Sequence, residues 1–440
     1  MSQKRRKPQK NQAAADGYRN PASSLGDLSP LLSSGTWSRS GITGDTELLT
    51  ALYRESWIAR KIIDMPSEDT TRAWYTLAAD IAEEDLTALR RLEARHSVKA
   101  ELTNAIRWAR LYGGALALMV LRGEEDLLDT PLDPDRLLPG CFQGLLVLDR
   151  AQGIDPSAET VTDLDDPDFG LPAYYTVAPG PDAGPVRIHH SRVLRFTGRE
   201  LPYTETVREN GWGASELEHV WEELQKRSAT SANIAQLVFQ ANITTLKMSD
   251  FGETLAMGTD RQREQLLRAV EAQNRMRTSF GLQLLSADDS LETHPYSFAG
   301  LSEVYESFML DMAGAAGIPA TRLFGRAPQG MNATGESDLR NYYEMIAQLQ
   351  ERLLRPALDR LLPVMAVSCW GFCPDALDVV FEPFSTLSPA ERAGIVTQHT
   401  DSVLKVYEAG LITGAQALDE LAARCAPYGA FRNLKEGVKG

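Results

Sequence analysis

The sequence predicts an α+β chain. Three observations carry that prediction. Four short runs rich in apolar and β-branched residues, GALALMVL (114–121), GLLVLD (144–149), PAYYTV (172–177) and RVLRFTG (192–198), follow one another between acidic and Gly/Pro-rich loops, as strands do. On either side of them, apolar residues recur every three or four positions over long stretches, the mark of amphipathic helices. A chain of 440 residues, 43% hydrophobic and 24% charged, has room for about three domains and a large core.

Taken in order, residues 1–40 are polar, with scattered Gly, Pro and Ser, and read as a flexible basic arm. Leu48, Leu49, Leu52, Tyr53, Trp57 and Ile58 lie on one face of a helix over 46–63, and a second helix covers 84–112. The four strands follow. After Gly213 the pattern changes. Residues 215–240 read as a long helix with Ser215 at its N-cap. A shorter exposed helix (260–276) and a strand (280–286) come next. The helix over 301–317 ends in Ala313-Gly314-Ala315-Ala316-Gly317, small residues that permit close backbone approach, before Pro319 stops it. Leu339, Tyr343, Ile346, Leu353, Ala357 and Leu361 mark the buried stripe of a helix from 335 to 361. Pro356 falls inside that stripe and predicts a kink. Residues 386–440 form a helical end-piece, with Ser388 and Glu391 as a capping box around Pro389.

The net charge of −15 argues against a simple sequence-specific DNA binder. The charge is uneven. Residues 121–170 hold thirteen acidic residues against three arginines, a net of −10, whereas Lys4, Arg5, Arg6, Lys7, Lys10 and Arg19 against Asp16 give residues 1–20 a net of +5. The acidic stretch reads as a solvated outer rim and the basic one as a steering arm. Four scattered cysteines make no disulfide framework, and Cys369 and Cys373 lack the second pair and the histidine of a zinc site. No apolar signal segment follows the basic start and no run of about 18 apolar residues spans a membrane, so the chain is expected to be made inside the cell.

Enzyme motifs fare poorly. Gly325 and Gly330 have phosphate-loop spacing, but Met331 and Asn332 stand where Lys and Ser/Thr belong. There is no Gly-x-Ser-x-Gly and no His-Glu-x-x-His. A two-histidine phosphoesterase needs two His-x-Thr/Ser motifs, and only His189-His190-Ser191 fits. No catalytic residue, metal ligand or cofactor is assigned.

The strings VRIHHSRVLRFTG (186–198), GIPATRLFG (317–325) and GMNATGESDLRNYY (330–343), set among a long helix, a small module, a return helix and a Pro-kinked helix, resemble a tailed-phage portal protein. More narrowly, the chain resembles a portal-like phage group that was formerly a family of unknown function. The resemblance runs from about residue 40 to 420. Some members of that group carry or adjoin anti-defence phosphodiesterase domains, which makes a phage phosphoesterase the alternative reading; mass photometry separates it from a large closed ring.

The resemblance implies a homo-oligomeric ring of twelve subunits at one capsid vertex of the virion, assembled in the host cytoplasm. Double-stranded DNA passes through its channel. The partners implied are the terminase large subunit, a head–tail adaptor, and the major capsid and scaffolding proteins, with no membrane. Carried over by order, 41–212 is the first part of a wing, 213–240 a stem helix, 241–300 the clip, 301–320 the second stem helix, 321–333 the tunnel loop, 334–385 the rest of the wing, and 386–440 a short crown. The loop places Arg322, Arg326, Pro328, Gly330, Met331 and Asn332 at the channel, with the two arginines serving either phosphates or a neighbouring subunit. The clip presents Arg261, Arg263, Glu264, Arg268, Glu271 and Arg275 to motor and adaptor. Ala313, Gly314, Ala315 and Ala316 fall at the subunit interface.

Overall fold

The computed structural model describes residues 41–77, 81–178, 184–239, 242–247, 259–261, 264, 268, 290–295, 300–325, 336–374, 377–384, 389–425, 428 and 430–431. The expectations for the basic arm and for the strand at 280–286 fall outside these residues.

Stripes that read as single helices are in fact pairs. The first splits into α1 (Thr46–Glu55) and α2 (Trp57–Arg72), because Ser56 turns extended and its side chain accepts a bond from Ala59 N, which caps α2. The second splits into α3 (Glu83–Arg95) and α4 (Val98–Tyr112) at Ser97, whose φ of 51° lies in the left-handed region. α2 also runs past its expected end, through Pro66, and buries that proline against the core. Tertiary burial outweighs helix propensity here.

β2 (Gly114–Leu121), expected at these same residues, is the centre of a three-stranded antiparallel sheet in the order β3–β2–β7, with β3 at Phe142–Asp149 and β7 at Val193–Thr197. A second antiparallel sheet joins β4 (Asp155–Pro156), β5 (Tyr174–Val177) and β6 (Val186–His189). Leu116, Leu118 and Val193 of the first sheet meet Tyr175, Val177 and Ile188 of the second around Trp212 in one core. Gly114 must be glycine, since a Cβ there would drive into the Trp212 ring. On the helical side Ile58, Ile62, Ile63, Leu102, Ile106 and Ala109 are all buried. The acidic stretches between the expected strands read simply as loop; they also contain β4 and short 3-10 turns at Pro134–Arg136 and Arg150–Gln152. A third, two-stranded sheet pairs β1 (Tyr75–Leu77) with β10 (Val379–Phe381), some three hundred residues later in the sequence.

Short helices α5 (Tyr203–Arg208) and α6 (Glu216–His219) follow β7, and α7 covers Trp221–Phe239. Ser215 caps α6, its side chain accepting from Leu217 N, so the expected cap is real but the long helix breaks at Val220. The chain divides into two compact units, one of Met1–Glu222 with Ala313–Gly440, the other of Glu223–Met312. In the smaller unit β8 (Asn242–Lys247) pairs antiparallel with β9 (Ser290–Pro295), and Arg227 donates to the Tyr305 hydroxyl at 2.9 Å.

Helix Leu301–Ala316 matches its expected limits. Beyond it, Ala320–Phe324 is a short helix where a loop was expected. The expected kink at Pro356 takes another form. Helix Glu336–Leu349 passes into a π-helical segment, Gln350–Leu354, and continues as Arg355–Trp370, with Pro356 in the first turn of that last helix. The π segment widens the ladder just ahead of the proline, where a regular helix would clash. Tyr342, rather than Tyr343, lies on the buried stripe with Ile346, Leu353, Ala357 and Leu361. Helices Pro389–Glu408 and Gly414–Cys425 form the end-piece, with Pro389 at the first helical position.

Candidate functional site

The Ile188–Arg192 string, part of the first of the three strings that carry the resemblance, acts as a knot. Ile188 is fully buried in the core. His189 N donates to Leu128 O at 2.8 Å and His190 N to Ala173 O at 2.9 Å. The Ser191 hydroxyl accepts from Leu132 N at 2.8 Å. Arg192 donates to Thr130 O at 2.7 Å and pairs with Glu124 at 2.9 Å. Four successive residues thus tie the acidic loop to the sheets. The His189 ring and the Ser191 hydroxyl lie 2.9 Å apart, and the same hydroxyl accepts from Leu132 N.

Behind the knot, His190 Nδ1 meets Asp168 at 2.9 Å, and Arg360 reaches the same carboxylate at 2.8 Å and His190 O at 3.1 Å. Burial would raise the Asp168 carboxyl, but hydrogen bonds from His190 and Arg360 outweigh it and hold Asp168 below its ordinary value. Burial, followed by the neighbouring His190 and Arg192 charges, pulls His189 down to about 4. Asp166, Asp168 and His190 have ligand-type atoms within 4.8 Å of one another. The Arg360 guanidinium already stands against that set and supplies its positive charge, so the arrangement reads as an ion-pair network. These contacts show where part of the −10 of residues 121–170 goes: Glu124 pairs with Arg192, Asp168 with Arg360 and Glu159 with Arg187, all arginines from outside the stretch.

A second hub sits on α2. Asp69 is 4% exposed. It receives Arg322 Nη2 at 2.6 Å and the Tyr342 hydroxyl at 2.7 Å, with Arg72 at 3.4 Å. Arg322 also donates to the Tyr343 hydroxyl at 3.1 Å. Lys61 caps the same short helix by donating to Leu323 O at 2.9 Å. Arg322, which sequence placed at DNA or at a neighbouring subunit, is thus paired within its own chain. The hub fixes both ends of the segment between Phe324 and Glu336. Sequence reasoning missed Asp69, Tyr342 and Arg360. A readable signal existed for the first: Asp69 continues the buried positions Ile58, Ile62 and Pro66 of an apolar stripe, where an acid requires a partner.

Among the small residues, Ala313 is buried within the subunit at 7% exposure, Gly314 is exposed, and Ala315 and Ala316 are half-buried. His219 meets Ala315 O at 2.7 Å. Arg261, Glu264 and Arg268 are exposed, and Arg268 pairs with Glu264 at 2.7 Å. Arg263, Glu271, Arg275, Arg326, Pro328, Gly330, Met331 and Asn332 lie outside the described residues.

A family model described as phage portal protein matches residues 48–405, from α1 well into the Pro389–Glu408 helix. The chain belongs to the phage portal protein family. The portal fold is seen in solved structures too. A chain in the neck of an empty gene transfer agent (GTA) particle, computed with C6 symmetry, superposes with a TM-score of 0.52 at 15% identity, over 90% of this portal chain and 98% of that chain. One in the neck of a native GTA particle, computed with C12 symmetry, gives 0.50 at 17%, over 89% and 97%. Among curated relatives, the anti-CBASS protein Acb1 of Caulobacter sp. (strain RHG1) is 32% identical over 363 residues, which are 80% of this chain and 57% of that relative. The portal chain therefore spans a little over half of that relative's length.

Proposed function

We propose that this portal protein closes with copies of itself into a ring of twelve at one capsid vertex, and that double-stranded DNA enters and leaves through the ring's channel. The observation that carries the proposal is the portal family match across residues 48–405. The C12 symmetry of the GTA neck supports the subunit number. In this reading the wing is 41–212 with 334–385, the stem helices are 213–240 and 301–320, the clip is 241–300, the tunnel loop is 321–333 and the crown is 386–440. The clip docks the terminase large subunit during packaging and a head–tail adaptor afterwards, while capsid and scaffolding proteins surround the wing. Arg326 and Pro328–Asn332 touch passing DNA, and Arg322 anchors the base of that loop. An acidic chain suits a conduit, since a basic lumen would hold DNA through counterion release.

The ring has no catalytic role in this reading. The alternative, a phosphoesterase, draws support from the anti-CBASS relative. This chain, however, carries one His-x-Ser motif where that chemistry needs two, and its Ser191 also holds the loop at Leu132. Native mass spectrometry of the purified chain, followed by particle images down the axis, tests the proposal. A closed ring with a central channel is the expected result. A monomer or dimer that cleaves phosphodiesters overturns it.

A further inference from the structure

The C-terminal half of α3 carries a basic face that runs into the first turn of α4. From Arg90 to Ala100 the exposed charges are Arg90, Arg91, Arg95 and Lys99, all positive. The single acid of that stretch, Glu93, turns inward and accepts from the Tyr75 hydroxyl. Arg90 pairs with Glu83 at 3.7 Å, and Lys99 donates to Arg72 O at 3.3 Å. Arg91 and Arg95 have no partner among the described residues. They sit four positions apart, so they share one side of the helix and repel each other there. Arg95 lies in the last turn, where a cation suits the helix dipole. Arg91 lies before that turn and has no such reason to be there.

An acidic face lies in the opposite layer of the same compact unit. α4 packs on the β3–β2–β7 sheet, and α3 packs on α4. Side chains alternate across a strand. Leu116 and Leu118 face the second sheet, so Ala115, Ala117 and Met119 face the helices. The chain over 124–132 belongs to the second sheet's side. Leu128 packs against the core there, His189 N holds Leu128 O, and Arg192 holds Thr130 O. On that loop Glu125, Asp126 and Asp129 are exposed, as are Asp163 and Asp165 beyond β4. Asp126 and Asp129 have no partner among the described residues. Arg187, the exposed cation of the second sheet, is already taken by Glu159 at 3.1 Å.

Identical copies joined head to tail round a ring need two different faces that fit each other. A basic face and an acidic face in opposite layers of one unit meet that need. We propose that the α3 face of one subunit docks on the acidic 124–132 loop of the next, with Arg91 and Arg95 set against Asp126 and Asp129. The inference rests on the ring reading and names surfaces that join its copies. Attraction of this kind speeds encounter and rejects wrong registers. It also weakens with salt, as the screening length falls from about 10 Å at 0.1 M to about 3 Å at 1 M.

The test reverses each face in the full chain and reads assembly by sedimentation at about 0.1 M salt, with thermal melting beside it. Arg91→Glu with Arg95→Glu should melt with the native chain, yet raise the subunit concentration at half-assembly by at least about tenfold. Asp126→Lys with Asp129→Lys should do the same. The chain carrying all four substitutions should assemble near the native concentration again. So should an equimolar mixture of the two double variants, in rings that alternate them, because every reversed face then meets its complement. At about 1 M salt the penalty of either double variant should shrink. Rings at the native concentration from either double variant overturn the proposal, even where the arginine variant has lost binding to duplex DNA. So do stably folded double variants that neither the combination nor the mixture rescues. A native chain that stays monomeric overturns the ring reading and this inference together, whereas the other two failures leave the native ring standing.

Discussion

Asp69 takes three donors into a site that is 4% exposed, and two of them, Arg322 and Tyr342, belong to a part of the chain more than two hundred and fifty residues away. Removing one partner of such a buried pair leaves the other uncompensated, at about 3 kcal/mol. Asp69→Asn should therefore lower stability in denaturant unfolding by roughly that amount. Arg322→Met should lower it too, and the double variant should lose clearly less than the two single losses added, because both remove one interaction. If Arg322 served only DNA, Arg322→Met would unfold at the native midpoint. His189 supplies a pH-dependent counterpart. Its folded value is about 4 against an ordinary 6.5, so the unfolded chain takes up the proton first. The stabilisation is present in full above 6.5 and drains away as pH falls from 6.5 toward 4. Asp168, held below its ordinary 3.8, has the same sign but loses its contribution only below that value. His189→Gln should thus flatten the fall in melting temperature between about pH 7 and pH 4.5, and NMR of the native protein should show His189 titrating near 4.

At the scale of elements, the π-helical segment does specific work. It places the buried Gln350 so that its side-chain amide donates to both Thr70 O and Ala73 O, each at 2.9 Å, closing off carbonyls at the end of α2. Gln350→Ala leaves those acceptors buried without donors and should cost about 1–3 kcal/mol, seen as an earlier unfolding midpoint. A regular-helix reading of 335–361 gives no reason for Gln350 to matter. The charged residues proposed for the clip are expected to behave in the opposite way. Arg261 and Arg268 stand in solvent, and mixed charge of this kind sets orientation and on-rate more than affinity. Arg261→Glu with Arg268→Glu should leave folding and rings intact while slowing terminase association, most strongly at low salt. Equal association rates at low salt would remove the clip from the docking surface.

For the whole molecule, the small residues at the end of helix Leu301–Ala316 separate assembly from folding. A Cβ at Gly314 would meet nothing within 4 Å inside the subunit, and replacing a helical glycine gains about 0.5–1 kcal/mol. Gly314→Leu should therefore melt no earlier than the native chain as a subunit, yet fail to form rings if this surface meets a neighbour. Ala313, buried in the subunit core, is the contrast. Ala313→Leu should cost about 1–3 kcal/mol by overpacking before assembly is reached. Native mass spectrometry beside thermal melting reads both. Intact rings from Gly314→Leu would place the interface elsewhere.

Local pattern determined much of this protein. The apolar run of 114–121 became β2 at those residues, Leu301–Ala316 became the helix expected over 301–317, Ser215 became a cap, and the strings at 186–198, 317–325 and 330–343 pointed to a portal. In each, the signal lies within a few neighbouring residues, where backbone preference and apolar period agree. Tertiary structure decided the rest. Whether a stripe stays one helix at Ser56 or Ser97, whether Pro66 sits inside α2, and whether Pro356 kinks a helix or follows a π segment depend on what packs against that turn. The pairing of β1 with β10 and the choice of Asp69 for Arg322 join residues hundreds of positions apart. An arginine carries the same charge for a phosphate as for a carboxylate, and only the folded chain brings one of those partners within 3 Å.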